Sequence, residues 1–132
     1  MDPVLSLDSS FLIDLERERA RGAEARAHAF LESHAESLLV LSVTAAGEIA
    51  CGVSLATRDR WVRFLAPFRI LESDAQVAWE YGRAFRFLSD NGMLIGTNDL
   101  WIAAAAIAHD LPLVTRNERE FRRVPKLRVL SY

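Results

Sequence analysis

A single cysteine among 132 residues sets the first limit. Cys51 has no partner for an intrachain disulfide, which fits a reducing, cytoplasmic compartment. Nothing in the chain is apolar for long. An uncharged stretch such as Leu100 to Ala108 falls far short of the roughly 20 residues a membrane-spanning helix needs, so no membrane association is expected. Met1-Asp2-Pro3 lacks a basic region followed by an apolar run and does not read as a signal peptide. His28, His34 and His109 show no zinc-ligand spacing. Neither GxxxxGK[ST] nor GxGxxG occurs, so no glycine-rich loop cradles phosphates. No Ser-His-Asp set stands out, and His109, after an apolar helix, reads as a C-terminal cap. The formal charge of −2 excludes steering by a uniformly basic surface.

What is present is an ordinary globular balance, 51% hydrophobic and 26% charged, in a length suited to one domain spanning 1–132. Val4-Leu5-Ser6-Leu7 reads as a buried strand ending at Asp8, with a helix starting behind a hydroxyl cap at Ser9 or Ser10. A helix is expected over Ala23 to Ser33, a strand over Leu38–Leu41, and a helix from Val43 to about Ala56. Further elements follow: a short helix from Arg58 to Ala66, a strand over Pro67–Leu71, and a long helix capped by Ser73 or Asp74 and ended by Asn91-Gly92. Another helix runs from Asn98 or Asp99 to His109, and strands over Leu111–Thr115 and Leu127–Leu130 close the chain. Strands alternate with helices, and they are continuous apolar runs. This predicts a mainly parallel sheet covered on both faces, whose sites lie beyond the carboxyl ends of the strands.

Carboxylates in apolar surroundings are the sharpest chemical signal. Glu48 is the only charged residue in its helix, and Thr44, Ala45, Cys51, Gly52 and Leu55 share its face. An enclosed carboxylate needs a compensating partner, either an arginine from elsewhere or a cation. Asp99 opens a helix uncharged until His109, and Asp8 follows the first strand. Taken singly, each reads equally well as a helix cap. Gathered together, three carboxylates could not all stay ionised without a cation, and an oxygen-only donor set suits Mg²⁺ or Mn²⁺. Basic residues crowd the end of the chain at Arg116, Arg119, Arg122, Arg123, Lys126 and Arg128, with a smaller group at Arg58, Arg60 and Arg63. They form either a solvated face or a phosphate-contacting surface.

Four segments then carry a family resemblance: Leu7–Asp14, Ser42–Ile49, Ile95–Ala104, and Leu113–Phe121 continuing to Val124–Val129. In this order and spacing the chain resembles PIN-domain ribonucleases of the VapC toxin type, over essentially its whole length. The resemblance implies a three-layer α/β/α fold with Asp8, Glu48 and Asp99 as metal ligands for Mg²⁺, or Mn²⁺. The family's fourth acidic position falls on Asn117, which is neutral and ligates only through its carbonyl oxygen. Ser10 and Thr115 are expected to support the ligands, and Arg116 to support them or meet substrate. The implied activity is endoribonucleolytic, with a metal-activated water attacking in line and 5′-phosphate and 3′-hydroxyl products. Implied partners are RNA, a VapB-type antitoxin and a second copy of the chain as a homodimer. Phe11, Leu12, Phe30 and Leu31 are the candidate apolar docking surface for the antitoxin, and they read at least as well as core. Three other readings stay open: a housekeeping PIN ribonuclease, a PIN-like RNA- or protein-binding module without catalysis, and an aspartate-based phosphatase. The last wants an Asp where Ser10 stands.

Overall fold

The structure, a computed structural model, describes residues 3–132. Strand β1 (Val4–Leu7) ends at Asp8, whose carboxylate accepts the Ser9 N–H and so caps α1 (Ser9–Ala20). The cap expected of Ser9 or Ser10 is thus supplied by Asp8, and both serines lie inside the helix. Gly22 follows with φ +65°, a left-handed conformation that glycine adopts without the Cβ penalty. Helix α2 (Arg26–Ser33) starts later than expected, because Ala25 has no capping side chain. Instead Glu18 reaches over from α1 and accepts the N–H groups of Ala25, Ala27 and His28 at 2.9, 3.0 and 3.1 Å.

Strand β2 (Leu38–Leu41) leads through the Ser42 cap into α3 (Val43–Ala50). This helix was expected to reach Ala56 but stops at Ala50. Gly52, a poor helix former, precedes a single 3₁₀ turn at Val53–Leu55. There follow α4 (Arg58–Leu65), the edge strand β3 (Arg69–Ile70) and α5 (Ala75–Asp90), which Asp74 caps through the N–H groups of Gln76 and Val77. Helix α6 (Thr97–Ala108) starts behind Gly96, which puts Asp99 in the first turn and not at the cap. Strand β4 (Leu113–Val114), the short helix α7 (Glu118–Phe121) and strand β5 (Val129–Leu130) complete the order.

The five strands form one sheet in the order β3-β2-β1-β4-β5, parallel throughout, where a mainly parallel sheet was expected. Consecutive residues Leu5, Ser6 and Leu7 are all buried, as a strand covered on both faces requires. Ala103, Ala104 and Ala106 are fully buried, and their small side chains let α6 lie close against α5 and α3. One open alternative is decided. Phe11 and Leu12 are 0% exposed and Phe30 is buried beside them, with the Phe11 and Phe30 rings edge-on at 5.5 Å. They belong to the core and offer no docking surface, and Leu31 is half-buried against that same core. The exposed positions of α1 and α2 carry Arg17, Arg19, Arg26 and Glu32 beside small residues.

Candidate functional site

Strand order places the site. From β1 the chain builds outward through β2 to β3, then crosses back with α5 and α6 to lay β4 on the other side of β1. The connections diverge between β1 and β4, and in parallel sheets such a divergence opens a crevice at the carboxyl ends of the strands. Register aligns Leu7 with Val114, so Asp8 and Thr115 leave the sheet side by side, and the Asp8 N–H donates to the Val114 carbonyl at 2.9 Å.

Asp8 is 1% exposed and held from several directions. Its Oδ1 accepts the Ser9 N–H at 2.8 Å, and its Oδ2 accepts the hydroxyls of Ser10 and Thr115, each at 2.7 Å. Those hydroxyls are fixed in turn. The Arg116 N–H donates to Ser10 Oγ at 3.1 Å, and the Asn117 N–H donates to Thr115 Oγ1 at 2.9 Å. Asp8, Ser10, Thr115, Arg116 and Asn117 therefore form one network across the β1 and β4 ends. Asn117 caps α7 without a side-chain hydrogen bond, and its side chain is exposed.

Asp99 and Glu48 approach from α6 and α3. Burial, together with the negative charges of Asp8, Glu48 and Glu120, pushes the Asp99 carboxyl up from 3.8 to about 6. Glu48 is half-buried, and its Oε1 is enclosed without a hydrogen-bond partner. No arginine pairs with it among the described residues, so the ion-pair alternative for Glu48 is not realised. The carboxylates feel one another, yet among the described residues no three acidic, histidine or cysteine side chains close into a metal-holding group. In charge and donor type the set fits a hard divalent cation, and the orphaned Glu48 oxygen is the atom most in need of one.

Three participants escaped the sequence reading. Glu120 adds a carboxylate to the field at Asp99; its position one helical turn beyond Asn117 was the available signal. Asp14 and Tyr132 join the network through Arg116, whose guanidinium pairs with Asp14 Oδ1 while the Tyr132 hydroxyl donates to Asp14 Oδ2. Nothing local marks Tyr132, which lies 118 positions from Asp14. Much of the basic stretch is also engaged. Arg122 pairs with Glu118 at 2.7 Å, and Arg128 donates to the Asp110 carbonyl at 2.8 Å.

A family model described as PIN domain matches residues 5–127. The chain belongs to the PIN-domain family. Among curated relatives of this PIN domain, Ribonuclease VapC1 of Methanocaldococcus jannaschii is 30% identical over 93 residues, 70% of this chain and 68% of the relative. Ribonuclease VapC2 of Rickettsia felis is 42% identical over 64 residues, 48% of each chain. The match thus spans about half the length of some of these relatives. Among solved structures, FitAcB of Neisseria gonorrhoeae superposes with a TM-score of 0.78 at 26% identity, covering 96% of both chains. The structure titled VapBC2 from Rickettsia felis bound to a DNA fragment from their promoter gives a TM-score of 0.81 at 24% identity, covering 98% of both, which speaks for the shared fold. The PIN domain's α/β/α layers and parallel sheet are therefore those of its family. Among the described residues, no helix is long and apolar enough to cross a membrane.

Proposed function

We propose that this PIN domain is a divalent-metal-dependent endoribonuclease and the toxin of a toxin–antitoxin pair. The observation that carries the reading is the electrostatic coupling of Asp8 and Glu48 to Asp99, together with one Glu48 oxygen buried and unpartnered. The relatives named Ribonuclease VapC support it, as do a VapBC-5 toxin–antitoxin structure from Mycobacterium tuberculosis and a toxin–antitoxin complex from Klebsiella pneumoniae, both of like fold.

Asp8, Glu48 and Asp99 would hold the ion, Mg²⁺ or Mn²⁺, through carboxylate oxygens, with Asn117 and Glu120 at its edge. A bound cation supplies a counter-charge for the phosphodiester and Lewis acidity toward its phosphoryl oxygen. The chain's own part is to arrange charge. Ser10 and Thr115 occupy Oδ2 of Asp8 with two hydroxyl donors, which fixes the carboxylate plane and keeps it from swinging toward the other acids. The crowding that raises the Asp99 pKa is relieved when a positive charge enters, so the pocket favours a cation before it admits an anion. Arg58, Arg60 and Arg119 are exposed and available to steady the flanking RNA backbone.

A groove of about 270 Å³ between α1 and α3 has Glu48 in its lining, with Ile13, Glu16, Arg17, Ile49 and Val53. It replaces the buried aromatic surface as the place for a VapB-type antitoxin, since an apolar segment there brings a basic side chain to Glu48. Homodimerisation and a cytoplasmic location belong to the same reading.

Purified protein is expected to cleave RNA with Mg²⁺ or Mn²⁺, leaving 5′-phosphate ends, and to be silent in chelator. Asp8→Asn is expected to lose at least a hundredfold in kcat while remaining folded. Full activity in chelator, or undiminished cleavage by Asp8→Asn, contradicts the assignment.

A further inference from the structure

The network around Asp8 does not end at the two hydroxyls that touch it. Ser10 Oγ takes the Arg116 N–H, and the guanidinium of Arg116 turns back to Asp14, one helical turn beyond Ser10 on α1. The second oxygen of Asp14 takes the Tyr132 hydroxyl, which also sits 3.3 Å from the Ser10 carbonyl oxygen. The Tyr132 ring is clamped in place, edge-on to Phe11 at 4.9 Å and to Phe30 at 6.4 Å. Burial and the Asp14 carboxylate both push its hydroxyl pKa up, so it stays a proton donor.

We propose that Asp14 and Tyr132 are positioning residues that, through Arg116, hold Ser10 and Thr115 in the arrangement that orients Asp8 for the cation. This deepens the nuclease reading and rests on it. The chain of causes is short. Arg116 belongs to the loop between β4 and α7, and its backbone N–H is the donor that fixes Ser10 Oγ. Loops of this kind move easily unless tied down. Here the tie is the charged Arg116–Asp14 pair, which Tyr132 shields and completes. Charge-assisted hydrogen bonds are the strong ones; the Asp14 side chain is 21% exposed and that of Arg116 49%, so the carboxylate end of the pair is the sheltered one. If the tie is cut, the Arg116 N–H drifts from Ser10, and Oδ2 of Asp8 loses a fixed donor. The fold itself does not depend on the tie, since the aromatic contacts of Tyr132 survive in Tyr132→Phe.

The test compares Tyr132→Phe, Asp14→Asn and their double variant with the wild type. Amide hydrogen exchange at Arg116 and Asn117 is expected to quicken about tenfold in each, while α5 amides keep their protection. Mn²⁺ affinity, read by titration calorimetry, is expected to weaken three- to tenfold. On RNA, kcat should fall by a similar factor with KM nearly unchanged, and the double variant should be no worse than Asp14→Asn alone. Unchanged exchange at Arg116, or unchanged Mn²⁺ affinity in both single variants, overturns the proposal, as does a uniform loss of protection across α5. A wild-type protein that binds Mn²⁺ but cleaves no RNA contradicts the nuclease reading alone, and the exchange and affinity arms then still decide the brace.

Discussion

The acidic pocket should make the metal-free protein less stable than it could be, and Asp99→Asn should reveal by how much. Folding moves the Asp99 carboxyl from 3.8 to about 6. At about 1.4 kcal/mol per pH unit, that displacement has a ceiling of about 3 kcal/mol. Asp99 is partly solvated, and screening brings the figure to about 1–2 kcal/mol. An aspartate in the first turn of α6 also gains about 0.3–1 kcal/mol from the helix dipole, which the variant gives up. The net expectation is a gain of about 0.5–1.5 kcal/mol in chelator at pH 7.5, or about 2–6 °C in Tm for a chain of this size.

The sign follows from proton binding. Between pH 3.8 and 6 the folded wild type binds more protons than the unfolded chain, so its stability falls as pH rises through that window. The advantage of Asp99→Asn should therefore be full above pH 6 and vanish near pH 4. Adding Mg²⁺ should stabilise the wild type far more than the variant and close the gap. Thermal unfolding followed by circular dichroism in chelator, across pH 4 to 8 and with and without Mg²⁺, reads all of this. A variant destabilised by more than about 1 kcal/mol at pH 7.5 in chelator, or one whose advantage persists at pH 4, refutes the reasoning.

Glu18→Gln should cost about 1–3 kcal/mol in urea unfolding, because a neutral amide cannot serve three N–H donors and His28 as the carboxylate does. Burial alone would raise the Glu18 pKa, but the His28 side chain and the Ala27, His28 and Ala25 N–H groups lower it to about 2. Its contribution is thus complete above pH 4.5 and lost as pH falls toward 2, and the variant should lack that acid-labile step. Ser6 Oγ is buried without a hydrogen-bond partner, a condition that costs about 1–3 kcal/mol. Ser6→Ala should therefore be neutral or stabilising by up to about 1 kcal/mol, and a loss above 1 kcal/mol would mean that the hydroxyl is satisfied in solution. Thr115→Val keeps the shape of the β4 end but removes one of the two hydroxyls on Asp8 Oδ2. It should lower RNA cleavage about tenfold and, because the Asn117 N–H also loses its acceptor, cost about 1–3 kcal/mol in stability; equal activity would show that Ser10 suffices.

The elements were largely legible because their signals are local. The apolar runs at Val4–Leu7 and Leu38–Leu41 became strands, and Ser42 and Asp74 cap the helices they precede. Misreadings arose where a distant group did the local work. Glu18 sets the start of α2 from another helix. Phe11, Leu12 and Phe30 read as a possible surface because hydrophobicity alone does not say which apolar residue is covered.

From the amino-acid sequence alone came the parallel α/β pattern, the oxygen-only donor chemistry and Glu48 as the carboxylate with no local explanation. Caps, periodicity and donor type are properties of neighbouring residues, and so are written along the chain. What only the tertiary structure decided is that Asp8 and Thr115 leave adjacent strands, that Asp99, Glu48 and Glu120 share one electrostatic field, and that Tyr132 closes on Asp14. Those facts depend on strand order and on contacts between residues from about 20 to 118 positions apart, where neither periodicity nor spacing carries information.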